Sequence, residues 1–215
     1  MDVGDLPNLA QSPPLWLLLL TTLVGSIEGA MIGRKPESNV DLVGMTIYAF
    51  FLGLGGALAR DTLLGLPSAV IQSFWYPLTV LAGVLMALGL GRYIRSEGLF
   101  MVVLDALTLG LYAVLGTRKA LDQNIPITGA VVVGLFAALA GGIIVSLLRQ
   151  ERPFVMTPGA PYALLALGGV LLYLLLRPFN EALAALSCVS FVIVSRVMTL
   201  RWGVTTGRIK PLHQD

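Results

Sequence analysis

Charged residues stand within or beside several long apolar runs of this sequence. Glu28 lies in "VGSIEGAM" and Asp105 in "MVVLDALTLGLY", while Arg60 and Asp61 follow the glycines of "GLGGALARDTLLG" at residues 53–65. An aspartate at the centre of a bilayer costs about 2.5–3.5 kcal/mol, so such a side chain faces the interior of a helix bundle or a water-filled cavity. These carboxylates predict either a site that holds or passes cations, or structural ion pairs with a base such as Arg60 or Lys119.

The basic residues next to these runs allow two interpretations each. On a helix, adjacent side chains project about 100° apart, so we expect only one of Arg60 and Asp61 to face a shared groove. Arg60 follows Gly56 by four residues and lies on the same face. Arg118 and Lys119 end another apolar run, where they either extend to the membrane interface or lie within the membrane field.

Paired glycines occupy two of the apolar runs at matching places. "FLGLGGAL" contains Gly55 and Gly56, and "ALAGGII" contains Gly141 and Gly142, each 86 residues further along the chain. Glycine pairs in membrane helices often serve only close helix packing. Because these pairs match, we favour a second interpretation in which both helices break at the glycines and line a water-filled path with backbone dipoles.

Composition indicates the elements that must position these residues. The chain is 56% hydrophobic and 12% charged, whereas an ordinary globular domain has roughly a quarter charged residues. Seven stretches reach or approach the 17–25 or so residues of a membrane-spanning helix, and we predict an all-α membrane domain over residues 15–202. The predicted spans are 15–33, 42–59, 74–91, 99–117, 125–148, 161–176 and 182–200.

The terminal segments and the loop charges predict the topology. Residues 1–14 contain no lysine or arginine, so the first apolar run is expected to be a retained span instead of a signal peptide. Four lysines and arginines fall in loops on the N-terminal side and nine on the other side. The positive-inside rule then predicts a protein of the cell membrane with its N-terminus outside and a cytoplasmic tail at residues 203–215.

Two sequence anchors predict an internal repeat. Lys35 of "GAMIGRK" and Lys119 of "AVLGTRK" are 84 residues apart, close to the separation of the glycine pairs. A unit of three spans has an odd number, so the second unit inserts upside down. Arg60 then corresponds to Ser146, and we expect this motif to give a pathway one basic lip instead of two. The predicted boundaries are residues 15–95 and 99–176 for the repeats and 182–202 for a seventh helix.

Several function classes are not expected. The net charge of +2 and the scattered basic residues do not predict nucleic-acid binding. Cys188 and His213 are the only residues of their types, which excludes an intrachain disulfide and a multi-histidine metal site. No nucleophile and base pattern is present, so we expect neither an enzyme nor a cofactor.

Three segments resemble a known family. "GLGGALARDTLLG", "LDALTLGLYAVLGTRKAL" and "AGGIIVSLLRQERP" are similar to the prokaryotic trimeric intracellular cation channels, a family also labelled glycine transporters, and the resemblance extends from about residue 15 to 202. It implies seven helices in two inverted repeats plus one, a homotrimer, and an ion pathway within each protomer. It also implies kinks in the second and fifth helices at their glycine motifs. Ser146 and Leu147 depart from an arginine and aspartate pair that the family often has, and Glu28 stands where a small or apolar residue is expected.

The leading hypothesis is a channel for monovalent cations, chiefly potassium, embedded in membrane lipid. A secondary transporter for a small zwitterion such as glycine is the alternative, and a structural membrane protein with packing glycines is a third. The residues predicted to line or gate the pathway are Glu28, Gly55, Gly56, Arg60, Asp61, Asp105, Arg118, Lys119, Gly141, Gly142 and Ser146.

Overall fold

The computed structural model describes residues 13–90, 98–156 and 161–204, and within these ranges the chain is helical and contains no strand. The predicted tails fall almost entirely outside the described residues, as do Arg92 and Arg95 of the charge count. The helices are α1 (Leu15–Gly33), α2 (Leu42–Leu63), α3 (Ala69–Gln72), α4 (Trp75–Leu90), α5 (Leu99–Asp122), α6 (Ile127–Leu148), α7 (Tyr162–Leu176) and α8 (Glu181–Arg201), with short 3₁₀ turns at Pro36–Ser38 and Phe154–Met156.

The helix lengths confirm an all-α protein with several membrane-spanning candidates. Within the described residues, α1, α2, α5, α6 and α8 are long and apolar enough to cross a membrane. Helices α4 and α7 are equally apolar but have 16 and 15 residues, slightly below the 17 or so that a perpendicular span needs. The count of seven spans therefore stays a prediction.

Two helices extend further than their apolar runs suggested. Helix α2 ends at Leu63 instead of 59, and α5 ends at Asp122 instead of 117. Helical hydrogen bonding continues through the charged residues because their side chains find ionic partners, as described below. Arg60, Asp61, Arg118 and Lys119 consequently lie within helices and not in loops.

The distribution of polar groups is that of a membrane protein. Large apolar side chains cover the outer surface, among them Leu81, Phe136 and Leu175 at 52%, 56% and 67% exposure. A soluble monomer rarely exposes so many neighbouring apolar groups. Buried polar residues are instead concentrated on α1, α2, α5 and α6; they are Thr21, Thr22, Ser26, Glu28, Arg60, Asp61, Thr108, Thr117 and Ser146.

A stripe of glycines joins α1 to α2. Cβ atoms placed on Gly25, Gly29 and Gly33 would each meet α2, at Leu52, Tyr48 and Met45 in turn. The contact positions descend along α2 as they ascend along α1, so the two helices are antiparallel. Small residues at this spacing allow backbones to approach closely in a membrane, and any larger residue would separate the pair.

The second half of the chain is assembled in the same way. Helix α5 packs against α6, where Gly134 lies against Thr117, and also against α8, where Gly110 lies against Val189. Helix α8 packs on α7 through Cys188, which is fully buried. The two halves of the chain meet where α2 packs against α6, and α1 contacts α5 beside them. These four helices enclose the buried polar residues.

Candidate functional site

Asp61 is the centre of a buried ion-pair cluster near the end of α2. Its Oδ1 accepts hydrogen bonds from Arg60 Nε at 2.8 Å and from Lys119 Nζ at 3.0 Å. Its Oδ2 accepts one from the backbone N–H of Ala69, the first residue of α3, at 2.9 Å. We name Arg60, Asp61 and Lys119 the Arg60 cluster. It ties the ends of α2 and α5 to the start of α3.

The geometry of this cluster corrects one expectation. Arg60 and Asp61 were expected to face different directions, but Arg60 Nη2 also lies 2.8 Å from Asp61 Oδ1 and both residues are almost fully buried. The long arginine stem lets the guanidinium fold back onto its own neighbour. Two positive charges then share one carboxylate, and Arg60 Nη1 is buried without a hydrogen-bond partner among the described residues. Arg60 therefore keeps unsatisfied donor capacity inside the bundle.

Helices α2 and α6 meet at their glycines, but neither helix is broken there. Both are uninterrupted, over Leu42–Leu63 and Ile127–Leu148, so the predicted helix breaks are wrong. Unsatisfied backbone groups cost several kcal/mol in lipid, which favours continuous helices. A Cβ on Gly55 would lie 2.9 Å from the Cα of Gly141, and one on Gly56 would overlap the carbonyl oxygen of Ala137. These three glycines are required for close approach, and we call this contact the glycine crossing.

Gly142 has a different environment from the other three predicted glycines. A Cβ placed on it would meet no atom of the described residues within 4 Å. It lies on the wall of an internal cavity on the other side of the glycine crossing from the Arg60 cluster. The paired glycines thus have two roles, packing at Gly141 and open space at Gly142.

Tyr112 fills the space beside the glycine crossing, and the sequence analysis missed it. Its hydroxyl donates a hydrogen bond to the carbonyl of Gly53. Its ring carbon Cδ1 lies 2.6 Å from where a Cβ on Gly56 would stand. The available signal was the repeat register, since Tyr112 follows Glu28 by 84 residues, the same separation as Lys35 and Lys119. In the predicted repeat register, Glu28 of α1 corresponds to Tyr112 of α5.

An internal cavity brings together predicted residues from three helices. We name it the Glu28 cavity. The polar residues lining it are Glu28, Asp105, Ser146, Arg149 and Tyr162, with Gly142 and several apolar side chains completing the wall. Its volume of about 40 Å³ accommodates about three water molecules, since each needs roughly 10–15 Å³. Glu28 is 4% exposed, and its Oε2 has no hydrogen-bond partner in the part of the chain that the structure describes.

Asp105 has partners that the sequence analysis did not assign. The Tyr162 hydroxyl donates to Asp105 Oδ1 at 2.7 Å, and Arg196 Nε lies 3.4 Å from Oδ2. The Arg196 guanidinium also lies 4.9 Å from the centre of the Tyr162 ring. Asp105 thus forms a structural ion pair, the alternative considered above, but its base is Arg196; Arg60 and Lys119 both bind Asp61 at the other end of the bundle. Arg196, a single charge inside the last apolar run, was the signal for this contact.

Ser146 and the nearby Arg149 lie at the Glu28 cavity, the end of the interior opposite the Arg60 cluster. Ser146 Oγ donates to the Gly142 carbonyl at 2.8 Å beside the Glu28 cavity. Arg149 lines the same cavity and pairs with Glu151 at 2.7 Å. Its long side chain reaches the cavity although it is displaced from the repeat register.

Arg118 does not join the Arg60 cluster. Its Nε lies 2.8 Å from Glu181 Oε1, at the start of α8. The predicted path residues therefore form an Arg60 cluster, a glycine crossing and a Glu28 cavity in sequence along one interior, with Arg118 outside that series. This construction defines a multi-pass helical membrane protein with a polar interior between four helices.

Comparison with known proteins identifies the family. A family model described as glycine transporter matches residues 15–92 and 102–178. An UPF0126 membrane protein of Deinococcus radiodurans is 30% identical over 142 residues, which are 66% of this chain and 65% of that protein. The inner membrane protein YadS of Escherichia coli is 24% identical over 195 residues, 87% of this chain and 91% of its own length. The chain belongs to this family of bacterial membrane proteins.

Solved structures show the same fold. The trimeric intracellular cation channel orthologue from Rhodobacter sphaeroides superposes with a TM-score of 0.79 at 26% identity, covering 88% of this chain and 98% of that one. A structure described for conductance through TRIC cation channels gives a TM-score of 0.79 at 24% identity, with 92% and 98% coverage. The resemblance to the trimeric intracellular cation channels is thus confirmed.

Proposed function

We propose that this protein is a channel for monovalent cations, chiefly potassium, with a pathway inside each protomer. The observation that carries the proposal is the polar interior between α1, α2, α5 and α6, which contains charged groups at both ends and lies within an apolar outer surface. The description of the similar solved structures as cation channels supports it. The similar solved structures are described as channels, and the sequence predicts no catalytic pattern.

The pathway would begin at the Glu28 cavity and be closed at the glycine crossing. A smaller void of about 10 Å³ extends from Glu28 and Asp105 towards Tyr112 and Gly141, near the lower limit for a single water molecule. Beyond it, the Tyr112 ring and the close contact of α2 with α6 leave no passage for an ion among the described residues. Conduction then requires that α2 and α6 shift relative to each other, which the small glycine contact allows.

Charge would decide which ions enter. Carboxylates lining the Glu28 cavity replace part of the hydration shell of a cation and repel anions. The Arg60 cluster carries a surplus positive charge from Arg60 and Lys119 against Asp61. We infer that this surplus limits the occupancy of the pathway by cations and that Arg60, with its free Nη1, contributes to gating.

The inverted repeat is part of the proposal and has four supports. The family model matches the chain in two segments of similar length. Helices α2 and α6 both have 22 residues. Two residues beyond the end of each helix stands a left-handed residue, Gly65 at φ 64° and Gln150 at φ 56°. Tyr76 and Tyr162, at the starts of α4 and α7, are 86 residues apart. We also propose the seven spans, the predicted domain boundaries, a homotrimer and an outside N-terminus.

A bilayer recording tests the proposed function. Purified protein in planar bilayers is expected to give discrete openings whose reversal potential follows the potassium gradient. A matched preparation of an unrelated membrane protein in the same detergent controls for leak. Openings that follow the chloride gradient would refute cation selectivity.

The alternative is a secondary transporter for a small zwitterion such as glycine. Two observations favour it, namely the family description and the opposite charges of the two ends of the interior. The free Nη1 of Arg60 suits a carboxylate and Glu28 suits an amine, although they lie on opposite sides of the glycine crossing. Counterflow of labelled glycine in proteoliposomes without unitary currents would establish this alternative. If the protein gives neither currents nor glycine flux, the third hypothesis, a structural membrane protein, is favoured.

A further inference from the structure

Two carboxyl groups line the Glu28 cavity, and Arg196 is the one base of the described residues that pairs with them. Glu28 and Asp105 contribute two carboxylates, and Arg196 contributes one positive charge at 3.4 Å from Asp105. Arg149 is balanced by Glu151 at 2.7 Å. A single unpaired charge in a buried site is costly unless it binds a counterion or a proton. One further positive charge, carried by a cation or by a proton, would therefore balance the two carboxylates.

The position of Glu28 shows where that charge would sit. Glu28 is 4% exposed and lines the cavity, and its Oε2 is buried without a hydrogen-bond partner among the described residues. Asp105 interacts with the same carboxyl group. The Tyr162 hydroxyl oxygen, which donates to Asp105, keeps its lone pairs available. Oxygen atoms from α1, α5 and α7 thus surround a space of about 40 Å³.

We propose that the Glu28 cavity is a binding site for one partly dehydrated monovalent cation, held between Glu28 and Asp105. The space accommodates an ion of potassium's size together with one or two waters, since each water needs roughly 10–15 Å³. A divalent ion fits the site poorly, because calcium takes about 6–8 oxygen ligands and the described residues contain no group of three acidic, cysteine or histidine side chains. Glu28 itself supplies the charge that selects a single positive ion.

This inference rests on the proposed function and adds a saturable site to it. A conducting path without such a site would pass ions with no measurable occupancy at rest. Glu28 stands where the family is expected to have a small or apolar residue, so the site would distinguish this chain from channels that lack a carboxylate there. Asp105 is already paired with Arg196 and accepts a hydrogen bond from Tyr162, so Asp105 by itself contributes little further negative charge for a cation.

The test measures thermal unfolding of the detergent-solubilised protein while potassium chloride replaces choline chloride at constant ionic strength and pH. A ligand that binds only the folded state raises the melting temperature as its concentration passes the dissociation constant. We expect a saturating upward shift for the wild type and for Glu37→Gln, whose carboxylate is exposed in the 36–38 turn. We expect the shift to be lost in Glu28→Gln.

Four results would overturn the site. The first two are an equal potassium-dependent rise of the melting temperature in all three proteins, and no rise in any of them. The third is a rise that magnesium or calcium produces at a lower concentration than potassium does. The fourth is a melting temperature that responds to pH and not to potassium. The last result would show that a proton occupies the pair.

If Glu28→Gln does not fold, equilibrium dialysis of the wild-type protein against rubidium is used in place of the thermal unfolding comparison. One rubidium per chain, displaced by potassium and not by choline, is expected, and linear uptake without saturation would contradict the proposal. Failure of this site and failure of the proposed function remain distinguishable. Cation-selective currents without saturable binding would remove only the site, whereas saturable binding without currents would remove only the channel.

Discussion

Gly141 and Gly142 are neighbours in α6, and alanine at the two positions should have opposite effects. A Cβ on Gly141 would lie 3.0 Å from the Phe51 carbonyl oxygen and 3.3 Å from Leu52 Cα, which are backbone atoms of α2. A relaxed contact between carbon atoms is about 3.5–4.0 Å, so α2 and α6 must separate by several tenths of an ångström. Overpacking of this kind typically costs about 1–3 kcal/mol.

The same substitution at Gly142 meets no such obstacle, since its Cβ would enter the Glu28 cavity. There only the helix propensity changes, which favours alanine by about 1 kcal/mol. Because that propensity contribution is shared, the difference between the two variants isolates the packing cost. We expect Gly141→Ala to be less stable than Gly142→Ala by about 1–3 kcal/mol.

Equilibrium unfolding in mixed micelles of dodecyl maltoside and sodium dodecyl sulfate measures this difference, with helicity followed by circular dichroism. The wild type is the reference for both variants. Equal stabilities for the two variants would refute the assignment of Gly141 to helix packing and of Gly142 to open space.

Three further substitutions, with Glu151→Gln as the control for the first, test the two ends of the interior and the glycine crossing between them. Asp61→Asn leaves buried positive charges without their carboxylate and should cost about 3–5 kcal/mol of unfolding free energy. The control Glu151→Gln removes an exposed partner of Arg149 and should cost under about 1 kcal/mol. Comparable losses in the two variants would contradict the Arg60 cluster. Tyr112→Phe removes the hydrogen bond to the Gly53 carbonyl and should raise the open probability in bilayer recordings, with an unchanged or lower value arguing against a constriction there. Tyr162→Phe removes a hydrogen bond to a carboxylate and should cost about 1.5–3 kcal/mol in the same unfolding assay, and a neutral effect would count against the contact.

The sequence predicted the helical class because that information is local. Long apolar runs with few charges can only be helices in lipid, and the starts of α1, α2 and α5 fall at the predicted residues. The ends of α2 and α5 were placed too early. Charged residues were interpreted as helix ends, although ion pairs formed in the folded state keep Asp61 and Lys119 inside their helices.

The partners within the site could not be obtained from spacing. Arg196 and Asp105 are 91 residues apart on helices that meet only after α8 packs beside α5. The folding back of Arg60 onto Asp61 depends on side-chain length and burial, which a helical projection of Cβ directions leaves out. The glycine motifs were correctly located, but a break and a close contact have the same sequence signature, and only the neighbouring backbone distinguishes them.

The central claim is that this interior conducts cations. The most direct measurement is the reversal potential of the purified protein in a planar bilayer with potassium chloride at unequal concentrations on the two sides. The proposed channel predicts unitary currents that reverse near the potassium equilibrium potential. Reversal near the chloride equilibrium potential, or a silent bilayer with active glycine counterflow in vesicles from the same preparation, would contradict it.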